Sequence, residues 1–170
     1  MKRLFKYFVL TLACLALLYA VVLFIFVVKE PNFLVPLKIE GGEIPIRNDA
    51  YGEGHFGAKR KYGRIHKGVD VEGLIGEGVY ASKSGFAICK DLKTGYGKLI
   101  VIYHPGNYQT RYGHLSRFNI RGFQWVNRAN AIGCVGKTGN ANYKGIKPHL
   151  HFEIRKGGKA LDPMKYLKRR

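Results

Sequence analysis

The chain has 170 residues and carries 29 basic against 11 acidic side chains, a net charge of +18, with 46% of its residues hydrophobic. It shows no internal repeat and no low-complexity tract, which excludes a solenoid or a biased, unfolded chain. Setting aside an apolar N-terminal run leaves about 140 residues, an ordinary length for one domain with one core.

The first element is that run. Residues 7–28 hold 22 consecutive positions without a charge, a glycine or a proline. As a helix rising about 1.5 Å per residue it spans roughly 33 Å, enough for a bilayer core of about 30 Å. A cleavable signal peptide normally has a shorter apolar region, about 7–15 residues, with small residues before the cut. This run instead ends Phe24-Ile25-Phe26-Val27-Val28, and it continues well past the lipoprotein-like Leu12-Ala13-Cys14. An uncleaved transmembrane signal anchor over residues 1–29 is the reading we adopt. Lys2, Arg3 and Lys6 precede it without an acidic residue, whereas Lys29 is followed by Glu30. The positive-inside rule then keeps the N-terminus in the cytoplasm and exports the rest.

Residues 30–44 contain Pro31, Pro36 and Gly41-Gly42 and read as a spacer with one strand near 33–37. From 45 to 170 the chain reads as a single domain of short β-type runs at 78–81, 85–90, 99–104, 108–113, 131–135 and 150–155, divided by Gly, Asn and Pro turn signals. Helical periodicity is confined to the anchor and to 163–168. The expected fold is therefore mostly antiparallel β.

Two motifs in this domain carry metal chemistry. His66-Lys67-Gly68-Val69-Asp70 separates a His and an Asp by three residues, and Pro148-His149-Leu150-His151-Phe152-Glu153 places two His at i and i+2. In a strand the latter pair shares one face while Leu150, Phe152 and Ile154 enter the core. Zinc takes imidazole nitrogen and carboxylate oxygen, and a catalytic site keeps three protein ligands and an open position. His66, Asp70 and one His of the pair make such a set, and the other His is left for proton chemistry. His104, at the strand-to-turn junction Tyr103-His104-Pro105-Gly106, and His55, before Phe56-Gly57, read as structural or surface residues.

Read together and in order, these segments resemble the lysostaphin-type (LytM-type) zinc metallopeptidases, which cut peptidoglycan peptides. The likeness runs from about Gly52 to Leu167. It includes Phe56-Gly57, His66 to Val71, Gly78-Val79-Tyr80-Ala81, Gly95-Tyr96-Gly97, Tyr112-Gly113-His114-Leu115, Pro148 to Ile154 and Asp162-Pro163. The resemblance implies a two-sheet peptidase core with an open groove. It also implies one zinc per chain on His66, Asp70 and His151, with His114 and His149 lining the site as proton carriers. Zinc lowers the pKa of its water from about 15.7 toward ~7 and polarises the scissile carbonyl. Tyr62, Arg60 and Arg64 stand near the place where some members carry an oxyanion-binding tyrosine. Loops at 106–107 and 139–146 are expected to wall the groove.

Three further readings follow. Cys89 and Cys134 lie in apolar strand-like stretches of the exported part, either paired in one disulfide or free and buried. Residues 29–170 carry 26 basic and 11 acidic side chains, with no carboxylate between Asp91 and Glu153. Such an excess asks for a polyanionic partner. For an exported domain that means peptidoglycan with its anionic wall polymers, or lipid head groups. A nucleic-acid-binding module would need neither the metal constellation nor the anchor. The expected activity is a membrane-anchored zinc endopeptidase acting on peptidoglycan cross-links from the periplasmic or extracellular side. The alternative is a catalytically silent family member that binds the wall and regulates another hydrolase.

Overall fold

The computed structural model describes residues 2–169, which divide into two compact units, one ending at Pro31 and the other beginning at Asn32. The first unit is one helix, α1 (Lys2–Lys29). Over Lys2–Phe26 the mean hydropathy reaches 2.9 and none of the apolar window is buried. A helix that is apolar on every side belongs in a membrane or a large core. This one is long and apolar enough to cross a bilayer.

The second unit is built from fourteen short strands. The first half comprises β1 (Phe33–Leu34), β2 (Asn48–Asp49), β3 (Gly52–Glu53), β4 (Val69–Glu72), β5 (Gly78–Tyr80), β6 (Gly85–Asp91) and β7 (Lys98–His104). The second half comprises β8 (Tyr108–Leu115), β9 (Arg117–Phe118), β10 (Phe123–Val126), β11 (Ala131–Cys134), β12 (His149–Lys156), β13 (Lys159–Leu161) and β14 (Leu167–Lys168). Seven of them form an antiparallel sheet in the order β10-β6-β7-β8-β12-β13, with β4 also paired to β12. A smaller sheet runs β5-β11-β9.

Alternation explains the layering. Along β12, Leu150, Phe152 and Ile154 face inward, where they join Tyr112 and Ile100 from β8 and β7 and Ile132 from the smaller sheet, all fully buried. His149, His151 and Glu153 therefore take the opposite face. Residues expected to act as spacer contribute to this core, since Phe33 and Leu37 are buried in it and Phe33 pairs with Leu167 across β1 and β14. The helical periodicity at 163–168 does not become a helix. Pro163–Lys165 makes a single 3-10 turn capped by the Asp162 side chain, and Leu167–Lys168 is drawn into the pairing with β1. Cys89 and Cys134 are free thiols.

Candidate metal centre

The register between β4 and β12 sets Asp70 directly opposite His151, and the register between β12 and β8 sets His151 opposite Gly113. Facing residues on an antiparallel pair have Cβ atoms about 4.5–5.5 Å apart, so Asp70 and His151 meet without any loop rearrangement. His66 enters from the segment just before β4. Gly68 allows that approach, because a Cβ there would collide with the carbonyl oxygen of Phe152.

Three atoms converge as a result. His66 Nε2 is 3.0 Å from Asp70 Oδ1 and 3.0 Å from His151 Nδ1, and His151 Nδ1 is 2.8 Å from Asp70 Oδ1. Among the described residues these three form the one cluster of His, Cys, Asp and Glu donors suited to a metal ion. The outer contacts of the two rings decide their tautomers. His66 Nδ1 lies 2.8 Å from the His55 carbonyl oxygen, which only accepts, so the proton sits on Nδ1. His151 Nε2 lies 3.1 Å from Glu153 Oε1, which likewise accepts. Once the inward nitrogens give up their protons, two imidazole lone pairs and a carboxylate oxygen point at one place. Three acceptors without a donor call for a cation, and the N,N,O set suits zinc.

The charges around the site agree. Burial opposes the charge on Asp70, but when His151 and His66 carry protons on their inward nitrogens in place of a metal, their hydrogen bonds hold its carboxyl well below the usual range. Burial likewise works against a charged His151, yet with a proton on each ring nitrogen its bonds to Asp70 and Glu153 pull it up to about 9, so a metal at the centre would take the place of the Nδ1 proton. The protein thus favours positive charge between these two carboxylates. Glu153 is only 1% exposed and also takes hydrogen bonds from Tyr96 Oη at 2.7 Å and Arg155 Nε at 2.6 Å. Burial acts against its ionisation, and the bonds from His151, Arg155 and Tyr96 outweigh it, bringing it down to about 2.

The two remaining histidines flank the centre. His114 donates from Nδ1 to the Thr138 carbonyl at 2.9 Å, and His149 donates from Nδ1 to the Lys147 carbonyl at 2.7 Å. Each neutral ring therefore keeps its lone pair on Nε2. His149 Nε2 lies 3.9 Å from Asp70 Oδ1, and the two rings meet edge to face with centroids 5.0 Å apart. Burial first, and then the charge on His151 and His149, presses the His114 pKa to about 3; burial also lowers His149. His114 sits at φ 62°, a left-handed conformation that costs a non-glycine residue about 1–3 kcal/mol. Its backbone N–H is fixed there by the Tyr96 carbonyl at 2.7 Å.

Two features escaped the sequence reading. Arg47, buried and 23 positions before Asp70, donates to Asp70 Oδ2 from Nη2 at 3.0 Å and from Nε at 3.3 Å. Glu153 supports the outer nitrogen of His151, and its position two residues along the same strand was the signal available in the sequence. Of the three residues weighed around position 62, Arg60 reaches Asp70 Oδ2 at 3.2 Å, Arg64 donates to the Lys61 carbonyl, and Tyr62 is 92% exposed. His104 is structural, bridging the Ser84 carbonyl and the Thr110 hydroxyl on the core side of the sheet.

The sequence profile of peptidase family M23 matches residues 64–163, a stretch containing all five of these site residues. The chain belongs to this family. It is 38% identical over 109 residues to a lipoprotein NlpD/LppB homolog of Pseudomonas aeruginosa, covering 64% of this chain and 35% of that one. It is 37% identical over 106 residues to the DD-carboxypeptidase/endopeptidase Mpg of Neisseria meningitidis, covering 59% and 22%. Over another 106 residues it is 34% identical to the murein hydrolase activator NlpD of Escherichia coli, covering 62% and 27%. The chain thus spans about a third or less of the length of these relatives.

Solved structures place the M23 fold on the same footing. A zinc-containing peptidase from Vibrio cholerae superposes with a TM-score of 0.63 at 31% identity, over 79% of this chain and 40% of that one. The catalytic domain of lysostaphin from Staphylococcus simulans gives 0.56 at 31% identity, over 69% and 90%. The mostly β, lysostaphin-type architecture expected from the sequence is the one observed.

Proposed function

We propose that this M23 chain is a zinc metalloendopeptidase that hydrolyses peptide cross-links of bacterial peptidoglycan while anchored in the cytoplasmic membrane by α1. The observation that carries the reading is the convergence of His66 Nε2, Asp70 Oδ1 and His151 Nδ1 beside two neutral histidines. Those three atoms would hold one zinc, which supplies Lewis acidity toward the scissile carbonyl and acidifies a water toward neutral pH.

The chain's own groups do the rest. His55 and Glu153 lock the ligand rings in the tautomers that bind, and Arg47 and Arg60 hold the outer oxygen of Asp70 so that Oδ1 faces inward. His114 and His149 present unprotonated Nε2 atoms at neutral pH. They accept the proton from the attacking water and deliver it to the departing amine. Backbone carbonyls hold both rings by Nδ1, so neither ring must turn to do so.

A second reading follows from the 34% identity to a murein hydrolase activator: a silent member that binds the wall and regulates another hydrolase. Such a role requires neither three converging donors nor two oriented histidines, and this chain retains all five. Lys2, Arg3 and Lys6 before the anchor support a β domain facing the periplasmic or extracellular side. The basic surface there suits peptidoglycan with its anionic polymers, or lipid head groups; nucleic acid has no part in this reading. Zinc-dependent release of fragments from purified peptidoglycan tests the enzymatic reading against the silent one.

A further inference from the structure

The face of the large sheet that carries His151 continues beyond the metal centre and ends in an aromatic surface. Registers across the strands show the connection. Glu153 on β12 faces Arg111 on β8, Arg111 faces Val101 on β7, Val101 faces Ile88 on β6, and Ile88 faces Phe123 on β10. The neighbouring row runs Arg155, Gln109, Tyr103, Phe86 and Trp125. Side chains in facing positions share a face, so Phe86, Phe123, Trp125 and Tyr103 lie on the same side of the sheet as the centre.

These rings are unusually bare. Phe123 is 72% exposed, Tyr103 46%, and Phe86 and Trp125 45% each. They are nonetheless ordered against one another. Phe86 and Phe123 stack at 5.4 Å with planes 15° apart, and Trp125 meets the edge of Phe86 at 5.3 Å. Trp125 is pinned by its Nε1–H to Asn127 Oδ1 at 3.0 Å. An exposed group of rings of this kind marks an interaction site.

We propose that this surface stacks sugar rings of the peptidoglycan glycan strand whose stem peptide occupies the metal centre. The inference rests on the peptidase reading and adds a second point of recognition to it. The faces of a pyranose ring present C–H groups with little polarity, which pack on aromatic faces. Distance supports the pairing. Strands lie about 4.8 Å apart, so β6 and β10 stand roughly 14 and 19 Å across the sheet from β12. A stem peptide of about four or five residues, extended, spans roughly 13–18 Å. One substrate therefore reaches both sites. A bilayer or a protein laid on this face would extend toward the centre itself, whereas a glycan tied to the stem peptide uses both together.

The chain's single tryptophan reads the surface directly, because it is Trp125. The full chain in nanodiscs of zwitterionic lipid is titrated with an N-acetylglucosamine tetrasaccharide, and Trp125 emission is followed. A saturable change is expected, with the affinity reduced ten-fold or more in Phe123→Ala and in the double variant Phe86→Ala/Phe123→Ala. Phe123 is exposed enough that its single variant keeps the fold, which its thermal melting curve checks. His151→Ala should bind the sugar as wild type does, so loss of hydrolysis and loss of sugar binding are read separately. No saturable change in wild type, or an unchanged affinity in both Phe variants, overturns the proposal. So does an emission change with anionic vesicles where the sugar produces none.

Discussion

Arg47 places Nη2 3.0 Å and Nε 3.3 Å from Oδ2 of Asp70, while the other oxygen of that carboxylate faces His66 and His151. The same guanidinium donates from Nη1 to Asp49 at 2.6 Å. One buried cation thus ties the segment before β2 to the centre and fixes which oxygen of Asp70 points inward. Removing it as Arg47→Met leaves two carboxylates without their shared partner. Breaking a buried pair costs about 3–5 kcal/mol, which denaturant unfolding would register. Zinc affinity, measured by competition with a chromophoric chelator, should weaken by about 10–100-fold, the usual effect of losing a residue that orients a ligand. Arg47→Lys keeps the charge but not the planar fork and should fall between. Unchanged zinc affinity in Arg47→Met would remove Arg47 from the account.

Glu153 makes the corresponding prediction for His151. Glu153→Gln preserves the shape but loses the charge that takes the Nε2 proton of His151 and the bonds from Tyr96 and Arg155. We expect zinc affinity to drop by about 10–100-fold with the fold intact by circular dichroism. Wild-type affinity would mean that packing alone orients the ring.

His114 and His149 should separate from the ligands in a metal assay. The full chain is expected to carry one zinc, and His114→Ala and His149→Ala should retain it. Both should lose about 10²–10⁴-fold in rate, the worth of general acid–base catalysis. A folded but zinc-free His149→Ala would transfer that residue to the ligand set.

Much of this site was legible in the sequence because its donors fall into two short motifs. An i, i+2 pair in a strand shares a face whatever the surroundings, so His149 and His151 could be placed on one side and Phe152 on the other. Asp70 and His66 were legible as donors, but their meeting with His151 depends on the β4–β12 register, which sequence spacing does not encode. Arg47 was not legible, since its partner lies 23 residues away and the intervening stretch has no periodicity. Burial of Phe33 and Leu37 was hidden for a similar reason: prolines and glycines around them signal a linker, and only the pairing of β1 with β14 draws them into the core. The strand holding Trp125 is four residues long, too short for its alternation to stand out.

The basic surface predicts a salt effect that depends on the substrate. Exposed charges are screened beyond about 8 Å at physiological ionic strength. Affinity for intact sacculi should therefore fall steeply as salt rises, while cleavage of a small neutral peptide changes little. Equal losses on both substrates would show that salt acts on the fold or the centre.

The central claim is that the five-residue centre hydrolyses peptide bonds in the wall. The most direct test incubates the zinc-loaded full chain with purified peptidoglycan and identifies released fragments by mass spectrometry. The account predicts fragments bearing a newly formed amine and carboxyl terminus, abolished by chelation and by His151→Ala. Peptidoglycan left intact by the folded, zinc-loaded protein, or cut equally by His151→Ala, would contradict it.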